Sequence, residues 1–283
     1  MKIAINAWSF PSNLTIPQGL KIAKRAGFDA VELNLSEDEY LRLDMSDAEV
    51  AGFRISAENM SLELRSVSSG LMWKYPLTSP DPDVVTRAKE IVRRGLEVTR
   101  ILGADTLLVV PGVVEPDVPY DVAYERSREA LGELAADAKR RKVCIGIENV
   151  WNKFLLSPLE MRDFIDTIGS EWVQAYFDVG NVLVSGYPQH WIRILGGRIK
   201  KVHVKDFHVS IGNLAGFTNP LQGDVDWIAV RNALREIGYD DVVTAEIPGY
   251  KTMGDLGVRH AGEALGRLFK GTGREPASVG AGD

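Results

Sequence analysis

Short runs in which apolar and polar positions alternate recur along the chain, and each is followed by a longer stretch with helical spacing. In KIAINAW, residues 2–8, Ile3 and Ile5 fall on one face and Ala4, Asn6 and Trp8 on the other, because successive strand side chains point to opposite faces. DAVELNL, residues 29–35, repeats the pattern with Ala30, Glu32 and Asn34 on its more polar face. LELRSVSS and ADTLLVVPG predict the third and fourth strands. The latter is almost entirely apolar, as a parallel strand covered on both sides is. KVCIGIEN, VQAYFDVGN, IKKVHVKDF and DVVTAEIPG predict strands five to eight.

Helical signals fill the intervals. Thr15 with Gln18, and Ser46 with Glu49, have capping-box spacing. They predict helices over Pro17–Arg25, ended by Gly27, and from Ser46 to about Met60. Further helices are predicted from Pro82 to Leu102, over 120–141 with Leu131, Leu134, Ala135 and Ala138 in one stripe, and from Ser157–Pro158 onward. Pro188–Leu195, Asp224–Ile237 and Gly254–Phe269 complete the set. GLMWKYPLTSPDP, between the third strand and its helix, is a long proline-rich connection of the kind that covers or serves a site. Eight strand–helix units in about 270 residues is the arithmetic of a single (β/α)8 barrel. A doubly wound sheet would carry a glycine-rich phosphate turn after its first strand, where this chain has NAWSFPSN. The expected organisation is one barrel over residues 1–270 and a disordered Gly-rich tail over 271–283.

Charge and cysteine usage narrow the partners. Thirty-three basic and 39 acidic residues leave a net charge of −6, which argues against nucleic acid and anionic membrane as partners. No apolar run reaches the ~18 residues of a membrane span, and the N-terminal run is too short for a signal peptide. The single cysteine, Cys144, cannot form an internal disulfide and reads as a small core residue. The expected setting is the cytoplasm.

The candidate chemistry sits at strand ends. Glu148, Asp178, His203 and Glu246 each lie at or near the end of one of the last four strands, and barrel sites lie at the C-terminal ends of strands. Three carboxylates brought together repel unless a cation sits among them. Three oxygen donors and an imidazole suit a divalent ion, Mn²⁺ first, with Mg²⁺ or Co²⁺ as alternatives. Asn6, Trp8, Glu32 and Asn34 are expected to line the same mouth from the first two strands. Lys205 follows His203 by two and also points inward, toward a substrate oxygen or phosphate or into a pair with Asp206. Trp151 and Asn181 each follow a candidate ligand by three residues, and Trp8 or Trp151 could stack on a sugar face. His208, in the connection after strand seven, is a further candidate for substrate contact.

At GIEN, YFDVGN, VHVKDF and AEIPG the chain resembles the sugar phosphate isomerase/epimerase superfamily, the xylose-isomerase-like TIM barrels, over nearly its whole length. In the ketose 3-epimerase branch the metal is held by Glu, Asp, His and Glu from strands five to eight, which match Glu148, Asp178, His203 and Glu246. LTSPDP and GYPQHWI resemble the hexulose-6-phosphate isomerase-like or pentulose-5-phosphate 3-epimerase members more closely. Two departures stand out. The free-ketose epimerases carry a substrate-touching histidine three residues after the strand-six aspartate, where this chain has Asn181. They also carry an arginine shortly after the strand-seven histidine, where this chain offers Lys205 and His208.

The resemblance implies a metal-dependent isomerase acting on a small sugar or sugar phosphate, with homodimers or homotetramers common in the family. The leading expectation is C3-epimerisation of a ketose or ketose phosphate, with Glu148 and Glu246 passing a proton through a metal-stabilised cis-enediolate. Aldose–ketose isomerisation, keto-inositol dehydration and β-elimination from a 3-keto glycoside begin with the same proton abstraction. A non-catalytic sugar-binding barrel is the remaining reading. An abasic-site endonuclease of this superfamily would imply a histidine-rich trinuclear zinc centre, whereas this chain has four histidines in all.

Overall fold

The computed structural model describes residues 1–12 and 14–271. The tail expected to be disordered lies, from 272 onward, outside the described residues. Eight parallel strands form the barrel wall: β1 Lys2–Asn6, β2 Ala30–Ser36, β3 Glu63–Ser68, β4 Thr106–Val109, β5 Cys144–Glu148, β6 Val173–Asp178, β7 Ile199–Val204 and β8 Val242–Ala245. Each pairs with its sequence neighbours, and β1 pairs with both β2 and β8, so the sheet closes on itself.

The helices between them are α1 Ile16–Arg25, α2 Asp47–Glu58, α3 Pro82–Ile101, α4 Tyr120–Arg141, α5 Pro158–Ile168, α6 Pro188–Leu195, α7 Trp227–Glu236 and α8 Gly254–Leu265. Local chemistry sets their ends. Ser46 Oγ accepts from the Glu49 N–H while Glu49 Oε2 accepts from the Ser46 N–H at 2.8 Å, which satisfies first-turn donors of α2. Gly27, at φ +84°, turns the chain after α1 through a conformation few other residues adopt freely. The outward strand faces, such as Ile3, Ile5, Val31 and Leu33, bury against the helix ring in one continuous apolar core. Removing such side chains from water is the main drive for closing the two layers.

The inward faces are layered. Along β7 and one residue past its end, the alternation sends Lys201, His203 and Lys205 into the barrel at successive heights. The lowest layer is ionic. Lys201 is 0% exposed, with its Nζ 2.8 Å from Asp105 and 2.6 Å from Asp241. Arg65 joins the same carboxylates, 3.3 Å from Asp105 and 3.1 Å from Asp241. These groups close the N-terminal end of the barrel. Asp105 and Asp241 are drawn upward by burial, but the Lys201 charge outweighs it and holds both below the usual carboxylate range.

Two local features differ from the sequence pattern. The long connection after β3 contains a four-residue helix, Leu71–Lys74. After Val204 the chain leaves the barrel wall, and Asp206–Phe207 pairs antiparallel with Phe217–Thr218 instead. Asp206 is the hub of that excursion. Its carboxylate accepts from the N–H groups of Leu221 and Val225 and from the Trp227 indole, which pins the loop to α7.

Candidate metal centre and active site

At the opposite end from the ionic base, four side chains converge. One ligand atom each from Glu148, Asp178, His203 and Glu246 lies within 4.8 Å of the others. Parallel registry brings them together: Asp178 stands beside His203, and Glu148 beside Tyr176, across adjacent strands. The strand ends are clamped. Asn149 Nδ2 donates to the Asp178 carbonyl and Asn149 Oδ1 accepts from the Asp178 N–H, both at 2.8 Å. Asn181 extends the clamp. Its N–H donates to Asp178 Oδ1 at 2.7 Å and its amide donates to the Asn149 carbonyl at 2.9 Å.

His203 is held from both sides. Its Nδ1 faces the cluster, 3.1 Å from Glu148 Oε1, and its Nε2 lies 2.7 Å from Glu32 Oε1. Glu32 also accepts from Asn6 Nδ2 at 2.6 Å, from Ser66 Oγ at 2.5 Å and from the Tyr176 hydroxyl at 2.5 Å. Room for Tyr176 comes from Gly146 on the neighbouring strand, where a Cβ would sit 3.0 Å from the Tyr176 ring. Lys205 Nζ lies 2.7 Å from Asp178 Oδ2 and also bonds Glu246. Gly180 lets that side chain pass, since a Cβ there would meet Lys205 Cγ at 2.6 Å.

The electrostatics follow from crowding. Burial, then the charges of Glu246 and Asp178, push the Glu148 carboxyl up to about 7 against the pull of His203. Burial acts upward on Glu246 too, but Lys205 and His203 outweigh it and lower that carboxyl to about 2. Burial opposes the charge on His203 and is overcome by Glu32, Glu246 and Glu148, which raise it well above the ordinary imidazole range. Glu32, Glu148, Asp178 and Glu246 thus outnumber the two buried cationic groups that face them, Lys205 and His203. A surplus of buried carboxylate around one imidazole fits a divalent cation. Glu148, Asp178, His203 and Glu246 could hold one.

A cavity of about 700 Å³ opens above this cluster. Trp8, Trp151, Asn181 and Lys205 line it, together with Glu148 and Glu246. Trp8 reaches it from a single 3₁₀ turn after β1, with 43% of its surface exposed. Two expected substrate contacts fall elsewhere. Glu32 is the third residue of the seven-residue β2, so it sits a layer beneath the mouth, 1% exposed and bonded to His203. His208 stands outside the lining residues, at the start of the loop that leaves Phe207. Lys205 pairs with Asp178 and Glu246 rather than with Asp206. Sequence reasoning passed over Tyr176, Ser66 and Asn149. Tyr176 carried a usable signal, because it precedes Asp178 by two and so shares its inward face.

The fold and this strand-end cluster define a (β/α)8 barrel with a candidate metal centre at its C-terminal mouth. The family model for xylose isomerase-like TIM barrels matches residues 20–268, and the chain belongs to that family. Among curated relatives, L-ribulose-5-phosphate 3-epimerase UlaE of Salmonella heidelberg (strain SL476) is 26% identical over 231 residues, 78% of this chain and 78% of the relative. L-ribulose 3-epimerase of Mesorhizobium japonicum is 26% identical over 248 residues, 84% of this chain and 78% of the relative. Of solved structures, an L-ribulose 3-epimerase superposes with TM-score 0.81 at 22% identity, covering 95% of this chain and 94% of its own. D-psicose 3-epimerase in the presence of D-fructose gives TM-score 0.80 at 20% identity, covering 96% and 100%. At these identities the structural matches establish the fold.

Proposed function

We propose that the protein is a divalent-metal-dependent carbohydrate epimerase that inverts C3 of a ketose. The observation that carries the reading is the convergence of Glu148 and Glu246, with Asp178 and His203, within 4.8 Å at the floor of an open cavity. Relatives named as ketose 3-epimerases support it. Held by these four side chains, the ion, Mn²⁺ first, would act as a Lewis acid toward the C2 carbonyl. The chain's own residues supply the proton chemistry. One glutamate takes the C3 proton, which the neighbouring carbonyl makes acidic, and the other returns a proton from the opposite face. Inversion needs two such groups, and Glu148 and Glu246 come from different strand ends. Lys205 places its ammonium beside Asp178 and Glu246, where it offsets charge at the reacting end. Trp8 and Trp151 offer faces for stacking on the sugar, and Asn181 fixes the Asp178 carboxylate.

The test is proton exchange in D₂O, followed by NMR, with Mn²⁺-loaded protein and a panel of ketoses and ketose phosphates. Deuterium at C3 with appearance of the C3 epimer is the expected result. Deuterium at C1 with appearance of an aldose would replace epimerisation by isomerisation. Absence of exchange across the panel would remove simple ketoses as substrates.

A further inference from the structure

The reacting end of the cavity is charged, and the rest of its wall is not. We infer that the substrate is an unphosphorylated sugar whose end remote from the carboxylate cluster is apolar. The inference takes the reacting end from the epimerase reading and adds the identity of the other end.

The rest of the wall is built from Trp8, Trp73, Leu108, Val110 and Leu214, among others of the same kind, while Phe217 lies at the cluster's edge with its ring centre 5.1 Å from the Lys205 ammonium. Leu108 lies on β4 and Val110 just beyond its end, so part of this surface is rigid scaffold rather than loop. Among the described residues lining the cavity, Lys205 is the one cation, and its ammonium is held 2.7 Å from Asp178 at the cluster itself. Three of the polar side chains that remain are already paired. Ser69 Oγ donates to the Leu35 carbonyl at 2.9 Å, the Asn181 amide donates to the Asn149 carbonyl at 2.9 Å, and the Trp151 indole donates to the Asn181 carbonyl at 2.8 Å. Recognition of a phosphate relies on arginine or lysine donors, or on N–H groups aimed at it. Such a group placed against this wall would find no counter-charge there, so any hydration it lost would go uncompensated.

Size points the same way. At about 30 Å³ per water in the liquid, the cavity of about 700 Å³ has room for roughly twenty water-sized groups. A free ketohexose has twelve non-hydrogen atoms. The space left over faces tryptophan and leucine side chains, and Trp73 and Leu214 are 48% and 72% exposed beside it. Apolar surface of this kind is covered by a ligand carrying a deoxy carbon or an alkyl or aryl substituent. Both sources share one chemistry, an uncharged sugar with an apolar far end.

The experiment titrates the full-length Mn²⁺-loaded protein by calorimetry with four matched ligands: a ketohexose, its 6-deoxy analogue, its 6-O-benzyl ether and its 6-phosphate. The same samples are read for C3 exchange in D₂O. Tighter binding of the deoxy or benzyl compound than of the parent, by roughly tenfold, with the phosphate weaker than the parent, is expected. A larger gain for deoxy than for benzyl would identify a deoxy sugar, and the reverse an apolar substituent. Trp73→Ala combined with Leu214→Ala should shrink that ratio toward one. A phosphate that binds as well as the parent or better, equal binding of all four, no binding of any, or a ratio untouched by the double substitution would each overturn the inference. Tight binding of the apolar analogues without C3 exchange would remove the epimerase reading and leave this inference standing. Exchange with the phosphate as the preferred ligand would do the opposite.

Discussion

Glu32 is the residue through which the barrel interior grips its candidate metal ligand, and replacing it by glutamine isolates that grip. The carboxylate meets four groups: His203 at 2.7 Å, Asn6 at 2.6 Å, and the Ser66 and Tyr176 hydroxyls at 2.5 Å each. Glutamine keeps the size. Its carbonyl can serve His203 and Asn6, while its amide donates to the two hydroxyls, which can turn to accept. The hydrogen bonds survive and the negative charge behind the imidazole is lost. Carboxylate partners of metal-bound histidines typically account for 10–100-fold in metal affinity, which is about 1.4–2.7 kcal/mol. Stability of the metal-free protein should fall by only ~1 kcal/mol, the scale of one net hydrogen bond. Glu32→Leu, by contrast, leaves His203 Nε2 and the Asn6, Ser66 and Tyr176 donors without the carboxylate they share and should cost roughly 3–5 kcal/mol. Mn²⁺ affinity by calorimetry and urea unfolding without metal read the two effects separately. Wild-type Mn²⁺ affinity in Glu32→Gln would refute the reasoning and show that packing alone orients His203.

Other outcomes follow from the same geometry. Glu148→Gln should lower turnover by ~10²–10⁴-fold, the range of a lost acid–base group, with an unchanged circular dichroism spectrum; full activity would sink the catalytic assignment. Exhaustive chelation should abolish activity, with recovery on adding Mn²⁺, Mg²⁺ or Co²⁺, and activity indifferent to chelation would take the ion out of the argument. Asp105 and Asp241 are held below the usual carboxylate range by Lys201, so their contribution is present above about pH 4 and is lost as pH falls through their folded-state values. Lys201→Met should therefore destabilise at neutral pH by roughly 3–5 kcal/mol and flatten the acid limb of a urea-unfolding series; an unaltered acid limb would contradict it. Burial pushes the Cys144 thiol up to about 12, so a thiol reagent at pH 8 should react only as the protein unfolds. Rapid labelling of native protein would show that β5 opens locally.

Much of the site was legible because strands impose a strict period. Glu148, Asp178, His203 and Glu246 shared a position in four similar runs, and parallel registry turns that likeness into proximity. The same rule misled at Glu32. Alternation says which face a residue takes but not how deep it lies, and depth depends on where the strand ends. β2 runs on to Ser36, so Glu32 is one layer down, whereas Glu148 is the last residue of β5. Trp8 was assigned to the first strand, which stops at Asn6, yet the turn that follows carries it to the cavity. His208 stands in the loop after strand seven, as read, but outside the cavity lining, and the Asp206 bonds that gather this loop toward α7 are long-range contacts that no local spacing reveals. Asn149 and Ser66 are small polar residues whose partners lie in other strands, and one sequence holds no local mark of such pairs.

The ionic layer of Lys201, Arg65, Asp105 and Asp241 makes the barrel a blind well rather than a channel. Among the described residues the far end is closed, so whatever reaches the floor comes in through the doorway at the C-terminal mouth and must go back out that way, and one molecule has to depart before the next can arrive. Protons obey the same traffic rule. A proton taken from carbon on that floor can trade with bulk water only by way of the doorway, and an occupant that fills the doorway keeps it inside. The amount of solvent deuterium found in recovered substrate would therefore measure how long the doorway stays shut during each visit.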